Sequence, residues 1–359
     1  MNTNSTYENN LKLFEEYLCT DDVLLKPTTG VLKRRKHSEV HSFLYSSPMD
    51  TVTDLKFSKA LHSLDHNPVF CRFLSKEEKR NYIKFLKEKS WPSNAWYSVG
   101  ANTKDIIELE EFLFEYGTPD ETINLSVDVA HGDTEFLQQL YEDYSSLPYV
   151  NNLMSGTVAT PESALNVHDA GCTHIRVGIG PGSACSTRIV TGCGVPNLAA
   201  VFNIHTELSI ALGEESMPVI IADGGIRNSG DIVKYLAAGA DAVMVGSLFS
   251  KTSESPGWSN TLLRRLLSKP PVKRYRGQAS AGFQLDTRGF VSGTPEGVTA
   301  RPQTPESSLQ QLVLRLEFGV RSALSYLGLK DSKELSPKNV EFIKITQNGM
   351  QESKPHILS

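Results

Sequence analysis

The feature that most constrains this chain is a regular exchange between short β-prone apolar runs and amphipathic helical stretches. The apolar runs lie at 41–46, 67–71, 95–99, 122–128, 147–154, 174–179, 218–222 and 241–246. Between them, residues 105–116, 134–144, 161–170 and 229–238 repeat their apolar positions at a helical period. Such alternation implies parallel strands joined by right-handed crossovers, and eight units can close on themselves and leave no edge. An open doubly wound sheet would carry its dinucleotide glycines in the first unit, yet residues 41–60 contain no glycine. The glycines gather in the last three units, where barrel enzymes build phosphate sites. The predicted fold is therefore α/β, a (β/α)8 TIM barrel over 41–250 and 305–330. A Gly-, Pro- and Ser-rich run at 251–304 is too long for a plain connection and reads as an active-site flap after strand 8. Residues 1–40 read as an N-terminal entry segment covering the bottom of the barrel, and 331–359 as a C-terminal tail.

Charge and cysteine usage narrow the function classes. A net charge of −5 gives no general attraction to polyphosphate, and the basic run Lys33, Arg34, Arg35, Lys36 reads as a solvated loop, so no nucleic-acid partner is expected. No apolar stretch reaches the roughly 18 residues of a membrane span and the N-terminus is polar, so a cytoplasmic location away from membranes is expected. The five cysteines (Cys19, Cys71, Cys172, Cys185, Cys193) are odd in number and form no CxxC pair, which argues against a disulfide framework or structural zinc.

Cys185 stands apart because of its position. The segment GIGPGSACSTR at 178–188 leaves the sixth strand, turns through three glycines and ends in a thiol. Glycines expose backbone amides and carbonyls to a ligand, and loops at barrel strand ends are where nucleophilic cysteines meet substrate. A catalytic thiol and a buried structural one are both open readings from the residues alone. Turns at 222–225 and 245–247, after strands seven and eight, complete a candidate phosphate site. Asp223 would repel phosphate, so it reads either as the acceptor for a ribose diol or as a helix N-cap or turn aspartate.

GIGPGSACSTR, ADGGIRNSGDI at 222–232, AAGADAVMVGSLF at 237–249, SPMDTVTD at 47–54 and the tail NGMQESKPH at 348–356 occur in one order. Together they resemble the family of inosine-monophosphate dehydrogenases and guanosine-monophosphate reductases from about residue 21 onward. The resemblance implies a purine mononucleotide substrate attacked at C2 by Cys185, with Thr187 and Glu296 as a proton relay. It implies that Ser183, Asp223, Gly225, Gly246, Ser247, Tyr275 and Gly277 hold the nucleotide. It places Asp128, Ala130 and Thr157 on the nicotinamide side, with Thr157 standing where the family has Asn. It also implies a homotetramer and a potassium site drawn from Gly180, Gly182 and Cys185, with Glu352 and Ser353 supplied by a neighbour.

The chemistry suits these residue types. Sulfur addition turns an aromatic ring position into a centre that can lose or accept hydride, and a hydroxyl linked to a carboxylate can carry the accompanying proton. Between the two family reactions, the flap is informative. The dehydrogenases hydrolyse their covalent product with an Arg-Tyr pair, whereas 286–290 here reads Asp-Thr-Arg-Gly-Phe, with Gly289 at the tyrosine position. The absence of an insertion after the second strand, and the sequence Phe70-Cys-Arg-Phe73, also resemble the short reductases; the Gln351-Glu-Ser353 tail resembles the dehydrogenases. On this balance the sequence favours NADPH-dependent reductive deamination of GMP to IMP. The alternatives are oxidation of IMP to XMP with NAD and a catalytically silent scaffolding homologue.

Overall fold

Eight parallel strands form the centre of the molecule in a computed structural model that describes residues 17–32, 34–116, 121–259, 267, 271–300 and 303–354. Several expected features lie outside those residues: 1–16 of the entry segment, Lys33 of the basic run, 260–266, 268–270 and 301–302 of the flap, and Pro355 and His356 of the tail. The strands are β1 (Leu44–Ser46), β2 (Val69–Phe70), β3 (Trp96–Val99), β4 (Ile123–Val127), β5 (Val150–Val158), β6 (His174–Val177), β7 (Val219–Asp223) and β8 (Ala242–Val245). Each falls within or across one of the eight expected runs. Neighbours in the sheet follow chain order from β2 to β8, and β8 pairs with β1. The barrel closes where Asn67, just before β2, exchanges backbone hydrogen bonds with β1: its N–H donates to the Leu44 carbonyl at 2.9 Å and its carbonyl accepts from Ser46 at 3.0 Å.

A long helix follows each strand: α1 (Leu55–His62), α2 (Lys76–Glu88), α3 (Thr103–Tyr116), α4 (Glu135–Ser145), α5 (Pro161–Asp169), α6 (Asn197–Leu212), α7 (Ser229–Ala237) and α8 (Leu309–Leu327). Their starts are set by caps. Ser75 and Glu78 form a capping box on α2, and Thr134, Thr160 and Asn228 accept from the first turns of α4, α5 and α7. Ser308 and Gln311 cap α8, which is why it begins at 309 and not at the expected 305.

The strand period of two divides the core into two layers. Leu44, Tyr97, Val99, Ile220, Val243 and Val245 point outward against the helices. Tyr45, Val69, Trp96, Met154, Ile221 and Met244 point inward and pack together inside the barrel. Continuing those inward positions toward the strands' C-terminal ends brings Asp128, Arg176 and Asp223 into the lumen. The apolar layer thus plugs the barrel and a charged layer sits above it, in the place where barrels carry their sites.

The described part of the entry segment contacts the outer helices and the C-terminal tail. Asp21 pairs with Arg227, Thr20 accepts from Lys234 of α7, and Arg35 bonds Ser322 and Tyr326 of α8. Residues Val23–Leu25 pair antiparallel with Phe342–Lys344, which ties the described ends of the chain together. No helix among the described residues is long and apolar enough to cross a membrane.

Candidate active site

The loop after β6 turns at Gly178, Gly180 and Gly182 and delivers Cys185 to the mouth of the barrel with its side chain exposed. The Cys185 N–H donates to the Gly182 carbonyl at 2.9 Å, and its thiol donates to the Thr187 hydroxyl at 3.1 Å. Arg188 braces the loop from behind through the carbonyls of Ile179 and Val195.

An extended stretch of the flap stitches this loop to the rest of the site. Ser186 N–H donates to the Glu296 carbonyl at 2.8 Å, Val298 to Ala184 at 2.9 Å, Gly277 to Val298 at 3.1 Å and Ala300 to Tyr275 at 2.8 Å. Residues 296–300 therefore lie between the cysteine loop and 275–277. The packing is close enough that a Cβ on Gly277 would meet the Ala184 carbonyl at 2.7 Å, so this position demands glycine on steric grounds.

One cavity of about 470 Å³ gathers nearly the whole expected constellation. Cys185, Thr187 and Glu296 line it, with Ser183, Tyr275 and Gly277 on one side. Gly225, Gly246 and Ser247 come from the ends of β7 and β8, and Gly180 and Gly182 from the cysteine loop. Asp128, Ala130 and Thr157 form the opposite wall. Glu352 and Ser353 are not brought there. They close a short helix, Gln347–Glu352, beyond the strand pair joining the chain's ends, so within one chain they complete no cation site with Gly180, Gly182 and Cys185.

The electrostatic centre is Arg176, which the sequence reading passed over. It is 5% exposed on β6, with Nη2 and Nε donating to the Asp223 carboxylate at 2.8 and 3.1 Å and Nη1 to Asp128 at 3.5 Å. Burial opposes its charge, but the two carboxylates outweigh burial and raise its pKa further. Arg72 adds a second cation 3.4 Å from Asp128. The Asp223 carboxylate is thus directed at Arg176, and Asn228 caps α7, which removes the N-cap reading of Asp223. The signal was present in His174-Ile-Arg176-Val, where the inward-pointing positions of a buried strand are polar.

Tyr275 is also largely enclosed; burial raises its hydroxyl's pKa, opposed by a hydrogen bond with Ser183. Thr157 donates to the Ala130 carbonyl at 2.6 Å, so the hydroxyl that replaces the family's Asn is spent inside the protein wall.

The flap's helix, Ala281–Arg288, forms the remaining rim. Arg276 pins it by donating to Asp50 at 2.6 Å and to Asp286 at 2.5 Å, and Phe283 packs edge-on against Phe73 at 4.8 Å between ring centres. Phe73, Gln284 and Arg288 all line the cavity; only Arg288 was expected there, and only under the dehydrogenase alternative. Gly289 ends the helix at φ +78°, a left-handed cap with nothing within 4 Å of where a Cβ would stand.

The sequence matches the model of the IMP dehydrogenase / GMP reductase domain over residues 18–356. It is similar to inosine-5'-monophosphate dehydrogenase of Chlorobaculum parvum, 39% identical over 251 residues, which are 65% of this chain and 47% of that protein. It is also similar to the enzyme of the same name from Streptococcus pyogenes, 37% identical over 265 residues, 71% of this chain and 50% of that one. The corresponding protein of Chlorobaculum tepidum is 38% identical over 247 residues. The chain spans about half the length of these curated relatives. With the family model covering the barrel, the flap and the cysteine loop alike, the chain belongs to the IMP dehydrogenase / GMP reductase family.

Proposed function

We propose that this protein is a purine-nucleotide oxidoreductase acting at C2 through Cys185, and that its reaction is the oxidation of IMP to XMP with NAD. The observation that carries the direction is Arg288. Exposed at the rim, Arg288 lines the same cavity as Cys185, Thr187 and Glu296, at the place of the arginine in the dehydrogenases' hydrolytic pair. The dehydrogenase name of the similar proteins supports the same direction. This reverses the preference drawn from Gly289, the absent insertion and Phe70-Cys-Arg-Phe73, since the arginine of the family's hydrolytic pair is retained and lines the cavity.

In this reading the Cys185 sulfur bonds to C2 of IMP, its proton leaving through Thr187 toward Glu296. Asp223, held by Arg176, accepts from the ribose hydroxyls, and Ser183, Ser247 and Tyr275 hold the phosphate. When bound, NAD supplies the acceptor for the hydride lost from C2. The residues on that side suit a flat carboxamide ring: Phe73 offers a ring face, Asp128 an acceptor and Arg72 a donor. Water then bonds to C2 as the C–S bond breaks, with Arg288, on the rim of the same cavity, to orient that water and Glu296 to take its proton. A potassium ion would rest on carbonyls of Gly180, Gly182 and Cys185; one loop supplies too few oxygens, so the rest, including those near Glu352 and Ser353, would come from another subunit of a homotetramer.

The test is spectrophotometric. Purified protein with IMP and NAD should gain absorbance at the reduced-nicotinamide band, and with GMP and NADPH should leave that band unchanged. Loss of signal with GMP would establish the reductase, and silence under both conditions the scaffolding homologue.

A further inference from the structure

Beyond the phosphate end of the nucleotide cavity lies a second hollow of about 270 Å³. It shares Ser183, Ser247 and Tyr275 with the first cavity and continues to Lys251, Lys273 and Arg274. Its charge is one-sided. Lys273 is 3% exposed, and its ammonium is held by neutral acceptors: the Thr252 and Ser255 carbonyls and, at 2.7 Å, the Ser255 hydroxyl. The Trp258 ring covers it at 4.6 Å. Arg274 has no ion-pair partner among the described residues, and Lys251 meets the half-exposed Glu306 at 2.9 Å. Glu254 and Asp54 act on the Lys273 charge only from a distance, with no ion pair among the described residues, and a buried cation left without a contacting carboxylate favours an incoming anion. Burial pushes Lys273 down to about 8, so it still carries its charge at neutral pH.

The position of this hollow gives the anion its chemistry. A nucleoside monophosphate seated with its phosphate on Ser183, Ser247 and Tyr275 would end at the opening, and a further phosphoryl group attached to it would pass directly among the three cations. We propose that the hollow is a second phosphoryl subsite, which admits a purine nucleoside 5'-diphosphate with its terminal phosphoryl bonded by Lys251 and Arg274 and lying in the field of Lys273, whose three N–H groups are already spent on Thr252 and Ser255. The same oxyanion chemistry would take free phosphate beside a bound monophosphate. The inference rests on the proposed nucleotide orientation and adds a ligand class to it: the protein does not stop at monophosphates.

Calorimetric titration of the full chain at pH 7, without nicotinamide cofactor, separates the possibilities. IMP, IDP and inorganic phosphate are titrated in turn, the last both alone and into the IMP complex. IDP should bind at least as tightly as IMP. The double variant Lys251→Ala/Arg274→Ala should lose about tenfold or more in IDP affinity while IMP affinity stays within about twofold. If the source is the free ion, phosphate binds the IMP complex and the same variant abolishes it. Two results would overturn the proposal: IMP binding with IDP weaker by more than about thirtyfold and no uptake of phosphate, or a double variant that binds IDP as the native protein does. Failure of IMP itself to bind would overturn the nucleotide reading beneath it, so the two failures are told apart.

Discussion

At Cys185 an exposed sulfur sits 3.1 Å from the Thr187 hydroxyl, and Glu296 and Arg288 line the same cavity. Cys185→Ser should lower turnover by at least about a thousandfold while nucleotide affinity and melting temperature stay near native, since a hydroxyl is a far weaker nucleophile than a thiolate. Cys193→Ser, just outside the site, should leave activity unchanged; steady-state kinetics on both variants checks this. Asp223 serves two ends at once. Its carboxylate offsets the buried Arg176 charge, so Asp223→Ala should cost about 3 kcal/mol of stability by urea denaturation, besides about 1.5–3 kcal/mol of nucleotide binding by titration. Normal stability in that variant would mean that Asp128 alone balances Arg176. The sequence made Cys185 legible because a thiol at the tip of a glycine turn has few structural uses. It left Arg176 unread because a strand position reveals its lumenal partners only once β4, β6 and β7 are in register.

The flap is the element where sequence and structure diverge most usefully. Its length and composition at 251–304 announced a segment outside the regular alternation, yet gave no hint that 296–300 would pair with both the cysteine loop and 275–277. Those contacts are non-local, and no periodicity records them. The glycine that weakened the dehydrogenase reading has a local cause: Gly289 caps the helix Ala281–Arg288 in a left-handed conformation. Replacing it by Tyr should destabilise the protein by about 1–2 kcal/mol through backbone strain alone, because no atom stands within 4 Å of the new Cβ. Gly289→Asn should cost less, and urea titration of the pair distinguishes strain from overcrowding. Similarly, Arg276→Ala frees the flap helix from Asp50, and it should raise KM for both substrates more than it changes melting temperature.

At the scale of the whole molecule, the eight strands were legible because each is a short apolar run bounded by turns, and closure into a barrel followed from the missing first-unit glycines. The apolar plug and the charged layer above it set different pH responses. His174, edge-on to Trp96 at 4.6 Å in the plug, is pushed down to about 4 by burial, from the 6.5 it has in the unfolded chain. Above pH 6.5 both states hold it neutral and its contribution is intact; as pH falls toward 4 the unfolded chain gains the proton first and stability is lost. His174→Gln should flatten the fall in melting temperature between pH 6.5 and 4. The charged layer bears on the chemistry, and the central claim is that Cys185 carries a purine nucleotide during oxidation of IMP. Rapid mixing with IMP and NAD, acid quenching and intact-mass analysis should find a nucleotide adduct on the Cys185 peptide, formed together with an equivalent of reduced cofactor. Reduced cofactor without an adduct, or an adduct and cofactor oxidation only with GMP and NADPH, would contradict the account.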